Sequence, residues 1–303
     1  MNICLSCDDK YSQYAGVVIA SVLLNSKQND VFNFYILDGN ISQENKDKIL
    51  SLKSIKDFDI SFVKIDDILF ETYKNIGTHS YLSLPAFYRL KLPSILPDID
   101  KVLYLDCDVI VNSPLSELYQ TDIEDFYAAG VKDIAVNSSG YVPALDKGNL
   151  YFNAGVLLLN LKKMRTDNIE DKFEKYTIDN IKTIRVGDQE ILNKVCQGKI
   201  KQLDSCWNVQ SSNFINRSDY TNTPKIVHYI GRQKPWKFGS MNYWKNLYFS
   251  VLQKTPWAYQ ENEVFKWTVQ NEIVSIFNYV KYRPLFFLRP RFYIALYNNI
   301  VCK

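Results

Sequence analysis

A chain of 303 residues that is 47% hydrophobic, with only 11 Gly and 10 Pro, can bury a full core; this excludes a disordered or low-complexity protein. A net charge of +3 is too small to draw nucleic acid by itself, and no nucleic-acid partner is expected. No run of about eighteen apolar residues exists to span a membrane, and the strand-like start Asn2–Cys7 lacks a basic leader, so a cytoplasmic protein is expected.

In chain order, residues 2–7 predict a strand and Tyr14–Leu24 a helix with its apolar face at Val17, Val18, Ala20, Ser21 and Leu24. Phe32–Leu37 is a second strand. Ser42 then caps a helix through Ile49 and Leu50, with Asn45 where a capping box prefers Glu or Gln. Ile60–Val63 is a third strand, and the alternation predicts an α/β fold with a mostly parallel, doubly wound sheet. Leu84–Leu90 reads as a short helix before Pro93 and Pro97. Further strands are expected at Lys101–Leu105, Tyr127–Val131 and Val156–Leu159, helices at Met164–Asn180 and Gln189–Cys196, and Lys225–Tyr229 closes the sheet. From about residue 242 the pattern turns helical and aromatic, which predicts a C-terminal appendage. The six cysteines are scattered. Cys4 and Cys7 form a C-x-x-C, but residues three apart on a strand face opposite sides, so reduced core thiols are expected.

The chemistry concentrates at Asp106-Cys107-Asp108, where an apolar strand ends. On an extended segment the two carboxylates point the same way and reach one cation; carboxylate oxygens suit Mn²⁺ or Mg²⁺. His228 ends a second apolar strand, and an imidazole added to two carboxylates favours Mn²⁺. Gly231 lets the backbone approach a phosphate and Lys234 supplies charge to it. Metal and cation together stabilise charge on a leaving diphosphate. Asp8-Asp9 follows the first strand, where a base or ribose would sit, and Asn153-Ala154-Gly155 offers small residues and an amide to sugar hydroxyls. Asp188-Gln189-Glu190 opens a helix, where acids also serve simply as N-terminal caps.

Ser6-Cys-Asp8-Asp9, Phe87-Tyr-Arg89-Leu, Tyr104–Val111, Tyr151–Val156 with Asn160–Lys163, Asp188-Gln189 with Ile191–Asn193, and His228-Tyr-x-Gly231-x-x-Lys234-Pro-Trp236 stand in one order over residues 2–236. This arrangement resembles glycosyltransferase family 8, which includes bacterial lipooligosaccharide galactosyl- and glucosyltransferases and glycogenin. The resemblance implies the nucleotide-diphospho-sugar transferase (GT-A type) fold and retaining transfer of glucose or galactose from a UDP-hexose donor. It implies that Asp106, Asp108 and His228 bind Mn²⁺, with Mg²⁺ the alternative. Asp8 would contact uracil or ribose, Lys234 and Gly231 the diphosphate, and Arg89, Asn153, Asp188 and Gln189 the donor sugar; Ser6, Cys107 and Ala154 complete the expected donor surface. Gln189, with Asp188, is the implied catalytic residue, as a nucleophile or as a positioning group; a front-side path, assisted by the leaving diphosphate, needs no strong protein base. The chain departs from the family at Lys10 and Glu190, at Arg232-Gln233 beside the diphosphate, and over His79–Leu84, the expected acceptor border, where Tyr81 falls in place of a histidine.

Residues 1–240 are thus expected to form the catalytic domain and residues 241–303 a helical, basic-aromatic region. Beyond Glu272 no acid occurs, while Lys281, Arg283, Arg289, Arg291 and Lys303 remain. Such a tail suits either a helical cover on the domain's flank or an anionic membrane surface at the inner face, each basic residue adding about 1 kcal/mol. The acceptor is then a glycan or lipid-linked saccharide. A glycogenin-like protein- or self-glycosylating transferase and a catalytically silent UDP-sugar binder are the alternatives. A nucleotidyltransferase would want a Gly-rich phosphate loop that Asp8–Tyr11 does not supply.

Overall fold

The computed structural model of the chain describes residues 1–74, 76, 84–134, 136, 145–146, 148–211, 223–231, 234–237, 240, 242–258 and 277. Its strands are β1 (Asn2–Asp8), β2 (Asn33–Gly39), β3 (Asp59–Lys64), β4 (Lys101–Leu105), β5 (Val109–Val111), β6 (Ala128–Lys132), β7 (Phe152–Asn160), β8 (Ile200–Gln202), β9 (Val209–Gln210) and β10 (Ile226–His228). The helices used below are α1 (Ser12–Leu24), α2 (Gln43–Ser51), α3 (Leu161–Thr166), α4 (Ile169–Asn180), α5 (Asp188–Val195) and α6 (Lys245–Leu252), with a 3-10 helix at Leu84–Lys91.

The main sheet has the order β3-β2-β1-β4-β7-β6-β8. Strands β1 to β4 are mutually parallel, β6 and β8 are parallel to each other, and β7 alone runs against its neighbours. The chain winds outward from β1 to β3 and returns to β4 on the other side of β1. The carboxyl ends of β1 and β4 therefore flank a topological switch point, where open α/β sheets bind ligands. Alternation along β1 sends Ile3, Leu5 and Cys7 into one apolar cluster and Cys4 into the cluster on the other face. Both thiols are buried and free, as residues three apart on a strand require.

Three local expectations are corrected. The segment Lys225–Tyr229 does not close the main sheet: β10 lies in a separate sheet between β5, antiparallel to it, and β9. The helix expected over Met164–Asn180 is two helices, because Asn168 takes a left-handed conformation at φ 49° and breaks the run; asparagine tolerates that region. Asp106 and Asp108 are not on one extended run, since Cys107 and Asp108 form a turn between β4 and β5.

Ser42 caps α2 by accepting from Asn45 N, as its sequence position predicts. The other half of the box comes from elsewhere in the chain. The Asp9 carboxylate accepts from Ser42 N and Asn45 Nδ2, both at 2.8 Å, which draws Asp9 down to a pKa of about 2. Of the C-terminal region only α6 and the residues around it are described. Trp257 there lies where a side chain on Gly16 would project, 2.2 Å from the ideal Cβ position, so α1 receives the indole through a glycine. The basic tail beyond residue 277, with Cys302, and the segment His79–Ser83 with Tyr81, lie outside the described residues, as do Arg232 and Gln233. Among the described residues no helix is long and apolar enough to cross a membrane.

Candidate active site

At the switch point the sheet opens into a cavity of about 350 Å³. Most candidates from the sequence line it: Ser6 and Asp8 from β1, Arg89 from the 3-10 helix, Asp106, Cys107 and Asp108 from the turn after β4, Asn153 and Ala154 from β7, Asp188 and Gln189 from α5, and His228, Gly231 and Lys234 from β10 and its continuation; Asp9 and Gly155 do not. Tyr11 and Lys237, which sequence reasoning passed over, line it too. Tyr11 stands at 42% exposure with its ring edge on Tyr14, which stacks on Trp236; it offers an aromatic surface beside Asp8.

Arg89 organises the acidic floor. It is buried, and its guanidinium donates to Asp106 Oδ1 (2.6 Å), Ala154 O (2.5 Å) and Ala86 O (3.0 Å), pairs with Asp188 Oδ2 (3.0 Å), and lies over the Tyr104 ring. Burial disfavours its charge, but the two carboxylates outweigh that and hold it firmly protonated. One cation serving two acids leaves Asp188 short of compensation: burial pushes its carboxyl up to about 6 against the pull of Arg89, and the charge of Asp106 adds to the rise. Asp188 keeps hydrogen bonds to the first-turn backbone at its own and Gln189's N–H, as an acid at a helix start does, and adds the pair with Arg89. Gly187, at φ 62°, takes the N-cap position of α5, and Asp188 turns its carboxylate to Arg89. Glu190, also buried, accepts from Arg185 N (2.9 Å) and Val186 N (3.0 Å), so its longer side chain closes the loop before α5.

Beside this floor lie the three groups able to hold a cation. Oxygen and nitrogen atoms of Asp106, Asp108 and His228 fall within 4.8 Å of one another. His228 Nε2 is 3.2 Å from Asp108 Oδ1 and 3.9 Å from Asp106 Oδ2. Asp108 Oδ1 is buried and has no hydrogen-bond partner among the described residues, a costly state for a carboxylate unless a cation completes it. Burial alone would raise the Asp108 carboxyl, but its neighbours, the Lys234 ammonium foremost, hold it well below the usual range. Lys234 Nζ pairs with Asp108 Oδ2 and donates to Tyr229 O at 2.7 Å. This donor set of two carboxylates and one imidazole suits a hard or borderline divalent ion such as Mn²⁺ or Mg²⁺.

The small residues of β7 have a steric reason. A Cβ on Gly155 would lie 2.2 Å from His228 Cε1 and 2.7 Å from Asp106 Oδ2, so only glycine lets imidazole and carboxylate meet over this strand. Gly231 sits at φ 73°, and among the described residues nothing lies within 4 Å of where a Cβ would project from it. Ser6 Oγ donates to Pro85 O at 2.6 Å and ties β1 to the 3-10 helix. Asp8 accepts from Tyr11 N at 3.0 Å and caps the turn that presents Tyr11. The Cys107 thiol contacts Cys7 and donates to Ser6 O at 3.2 Å; the Cys7 hydrogen bond, then burial, push it well above the usual thiol range.

Gln189 does not hang free in the cavity. Its Oε1 accepts from Ala154 N (3.0 Å) and Asn153 Nδ2 (3.3 Å), and its Nε2 donates to Asp133 Oδ2 (3.1 Å). Asp133, buried behind the lining, also accepts from Asn153 Nδ2 (3.1 Å) and from Val136 N (2.8 Å). Asn193 locks α5 to β7 by exchanging bonds with Phe152 N and O at 2.7 and 2.8 Å. Nothing in the local sequence marks Asp133 or Asn208, another buried contributor, as partners of the site.

The fold and the site together are those of a GT-A-type glycosyltransferase. The family model of glycosyl transferase family 8 matches residues 2–239, and the chain belongs to that family. A provisionally named glycosyltransferase of Haemophilus influenzae is 34% identical over 244 residues, covering 78% of this chain and 73% of that one. Lipopolysaccharide 1,2-glucosyltransferase of Escherichia coli is 28% identical over 275 residues, with 84% and 79% coverage. The crystal structure of galactosyltransferase LgtC, in complex with donor and acceptor sugar analogues, superposes with a TM-score of 0.76 at 27% identity, covering 86% of this chain and 98% of that one.

Proposed function

We propose that this glycosyltransferase moves glucose or galactose from a UDP-sugar to a glycan or lipid-linked saccharide, with a divalent metal and with retention at the anomeric carbon. The observation that carries the reading is the orphaned Asp108 Oδ1 facing His228 Nε2 beside Asp106, at the switch point of the sheet. Asp106, Asp108 and His228 would hold Mn²⁺, or Mg²⁺ in its place, and the ion would supply charge stabilisation to the departing diphosphate. Lys234 and the backbone of Gly231, which line the same cavity, would share that diphosphate. Asp8 and Tyr11 would receive the nucleoside, and Arg89, Asn153, Asp188 and Gln189 the hexose.

The bonding of Gln189 favours positioning over attack. Both its amide ends are engaged, and its oxygen already accepts from Ala154 N and Asn153 Nδ2. Its part is to orient the sugar and the backbone of Ala154 while the leaving diphosphate assists the incoming hydroxyl. A lipid-linked acceptor would suit the acid-free sequence beyond Glu272, and docking of that tail on an anionic inner-membrane surface belongs to the same reading.

UDP release from a panel of UDP-sugars, with Mn²⁺ and with EDTA, tests the proposal. Slow hydrolysis of one donor that stops with EDTA is expected; neither hydrolysis nor Mn²⁺-dependent binding of any UDP-sugar would sink it. Removing residues beyond 272 should release the protein from anionic vesicles, and unchanged binding would remove the membrane clause alone.

A further inference from the structure

The metal-facing nitrogen of His228 has its state set by a chain of amides reaching back to the strand β7 backbone. Gly155 N–H can only donate, and it donates to Asn153 Oδ1 at 3.0 Å. The Asn153 amide is thereby oriented, with its Nδ2 on the Asp133 carboxylate at 3.1 Å, a group that accepts. Asn208 Nδ2 donates to the same Asn153 Oδ1 at 2.9 Å, which turns Asn208 Oδ1 toward His228 Nδ1 at 3.1 Å. An amide oxygen has no proton to give, so the neutral ring must carry its hydrogen on Nδ1. Nε2 is then left with a lone pair, 3.2 Å from the unpartnered Asp108 Oδ1. Two acceptors held face to face repel unless a cation lies between them.

We infer that Asn208 is a positioning residue for the cation site: with Asn153 and the Gly155 N–H it holds His228 in the Nδ1–H tautomer and so keeps Nε2 open to a metal. The inference rests on the metal-dependent reading above. Asn208 is 1% exposed and is not among the residues lining the cavity, so it acts through the imidazole rather than on substrate. Partners on the far nitrogen of a ligating histidine fix its tautomer and orientation, and their loss costs about 10- to 100-fold in metal affinity. Here a second consequence follows. Without the Asn208 oxygen, the ring gains by placing its hydrogen on Nε2 and donating to Asp108 Oδ1, which consumes the metal-binding lone pair.

The test reads the ring directly, without turnover. The chain has only two histidines, so His79→Gln leaves His228 as the single imidazole signal. In isotope-labelled, metal-free protein at pH about 8, where an ordinary imidazole is neutral, nitrogen chemical shifts should show a protonated Nδ1 and an unprotonated Nε2. Asn208→Ala should move the hydrogen to Nε2 and weaken Mn²⁺ binding, followed by the signal of free Mn²⁺ in the presence of UDP, by about 10- to 100-fold. Asn208→Asp keeps an acceptor opposite Nδ1 while losing the donor to Asn153 Oδ1, and its ring should stay Nδ1–H, which separates the acceptor's role from packing if the alanine variant folds poorly. An Nε2–H ring in the unsubstituted Asn208 protein, or Asn208→Ala with tautomer and affinity unchanged, overturns the inference and leaves the proposed function standing. An Nδ1–H ring in a protein that binds no Mn²⁺ with UDP refutes the metal role and the proposed function together.

Discussion

Replacing Arg89 by Met removes the cation that the buried Asp188 shares with the half-buried Asp106. Arg89 and Asp188 are 5% and 4% exposed, and the guanidinium also satisfies the carbonyls of Ala154 and Ala86. Breaking a buried pair from one side costs about 3–5 kcal/mol. At about 2–4 °C per kcal/mol for a large domain, Tm should fall by about 6–20 °C. The loss should depend on pH in a defined direction. Asp188 already sits at about 6 in the folded chain, above the value of about 3.9 for an unfolded aspartate. A carboxyl raised by folding contributes fully below its unfolded value, and its contribution is lost as pH rises through the folded value. By pH 7 that loss amounts to about 3 kcal/mol. Arg89→Met removes the largest attraction opposing the rise, leaving only the hydrogen bonds from the Asp188 and Gln189 backbone, so its penalty should be larger at pH 8 than at pH 5, where Asp188 can take a proton. Thermal unfolding of both proteins at the two pH values reads this out. A Tm shift under about 3 °C at pH 8, or an equal shift at pH 5 and pH 8, would refute the shared-cation argument.

Gly155→Ala should leave the sheet folded yet lower Mn²⁺ affinity at least about tenfold, since its Cβ would lie 2.2 Å from His228 Cε1, well inside the 3.5–4.0 Å of a carbon contact; wild-type affinity by titration would contradict the close packing of ring on glycine. Asp133→Asn puts an amide where Gln189 Nε2 and Asn153 Nδ2 both donate, and should cut kcat by about 100-fold with a much smaller change in the donor's KM; an unaltered kcat would mean that the Gln189 orientation is immaterial. Lys234→Met frees Asp108 from its ammonium partner, so Mn²⁺ without nucleotide should bind about tenfold more tightly, a gain of about 1.4 kcal/mol, while the added benefit of UDP shrinks. Calorimetry showing weaker metal binding in that variant would rule out competition between lysine and metal.

What was legible in the sequence was whatever a short stretch encodes. An apolar run ending in Asp106-Cys107-Asp108 announces both a strand and acids at its end, and His228, Gly231 and Lys234 declare themselves by the same local logic. What was hidden is set by contacts far along the chain. The Asn153 amide meets Asp133, Gln189 and Asn208, which lie 20, 36 and 55 residues away in sequence. A buried asparagine among apolar neighbours carries no pattern that names its partner. The turn at Cys107-Asp108 was missed because the flanking runs are equally strand-like, and the break at Asn168 because one left-handed asparagine leaves helical periodicity intact.

The direction of β7 explains why these distant residues converge at all. Were β7 parallel to β4, its carboxyl end at Asn160 would stand at the ligand edge and its start would lie at the opposite edge. It runs antiparallel instead, pairing Leu105 with Val156, so the start of β7 arrives beside the end of β4. Asp106 N donates to Gly155 O at 2.8 Å, which carries the ladder one step beyond the strand. That reversal sets Asn153, Ala154 and Gly155 against Arg89, Asp106 and His228. It also aims the Gly155 N–H at the amide chain that orients His228. One reversed strand thus provides three things to the same end of the cavity: a carbonyl for Arg89, a gap for the imidazole, and the donor from which the histidine tautomer follows. A substitution that shifts β7 by a single register position would exchange its two faces and remove all three together.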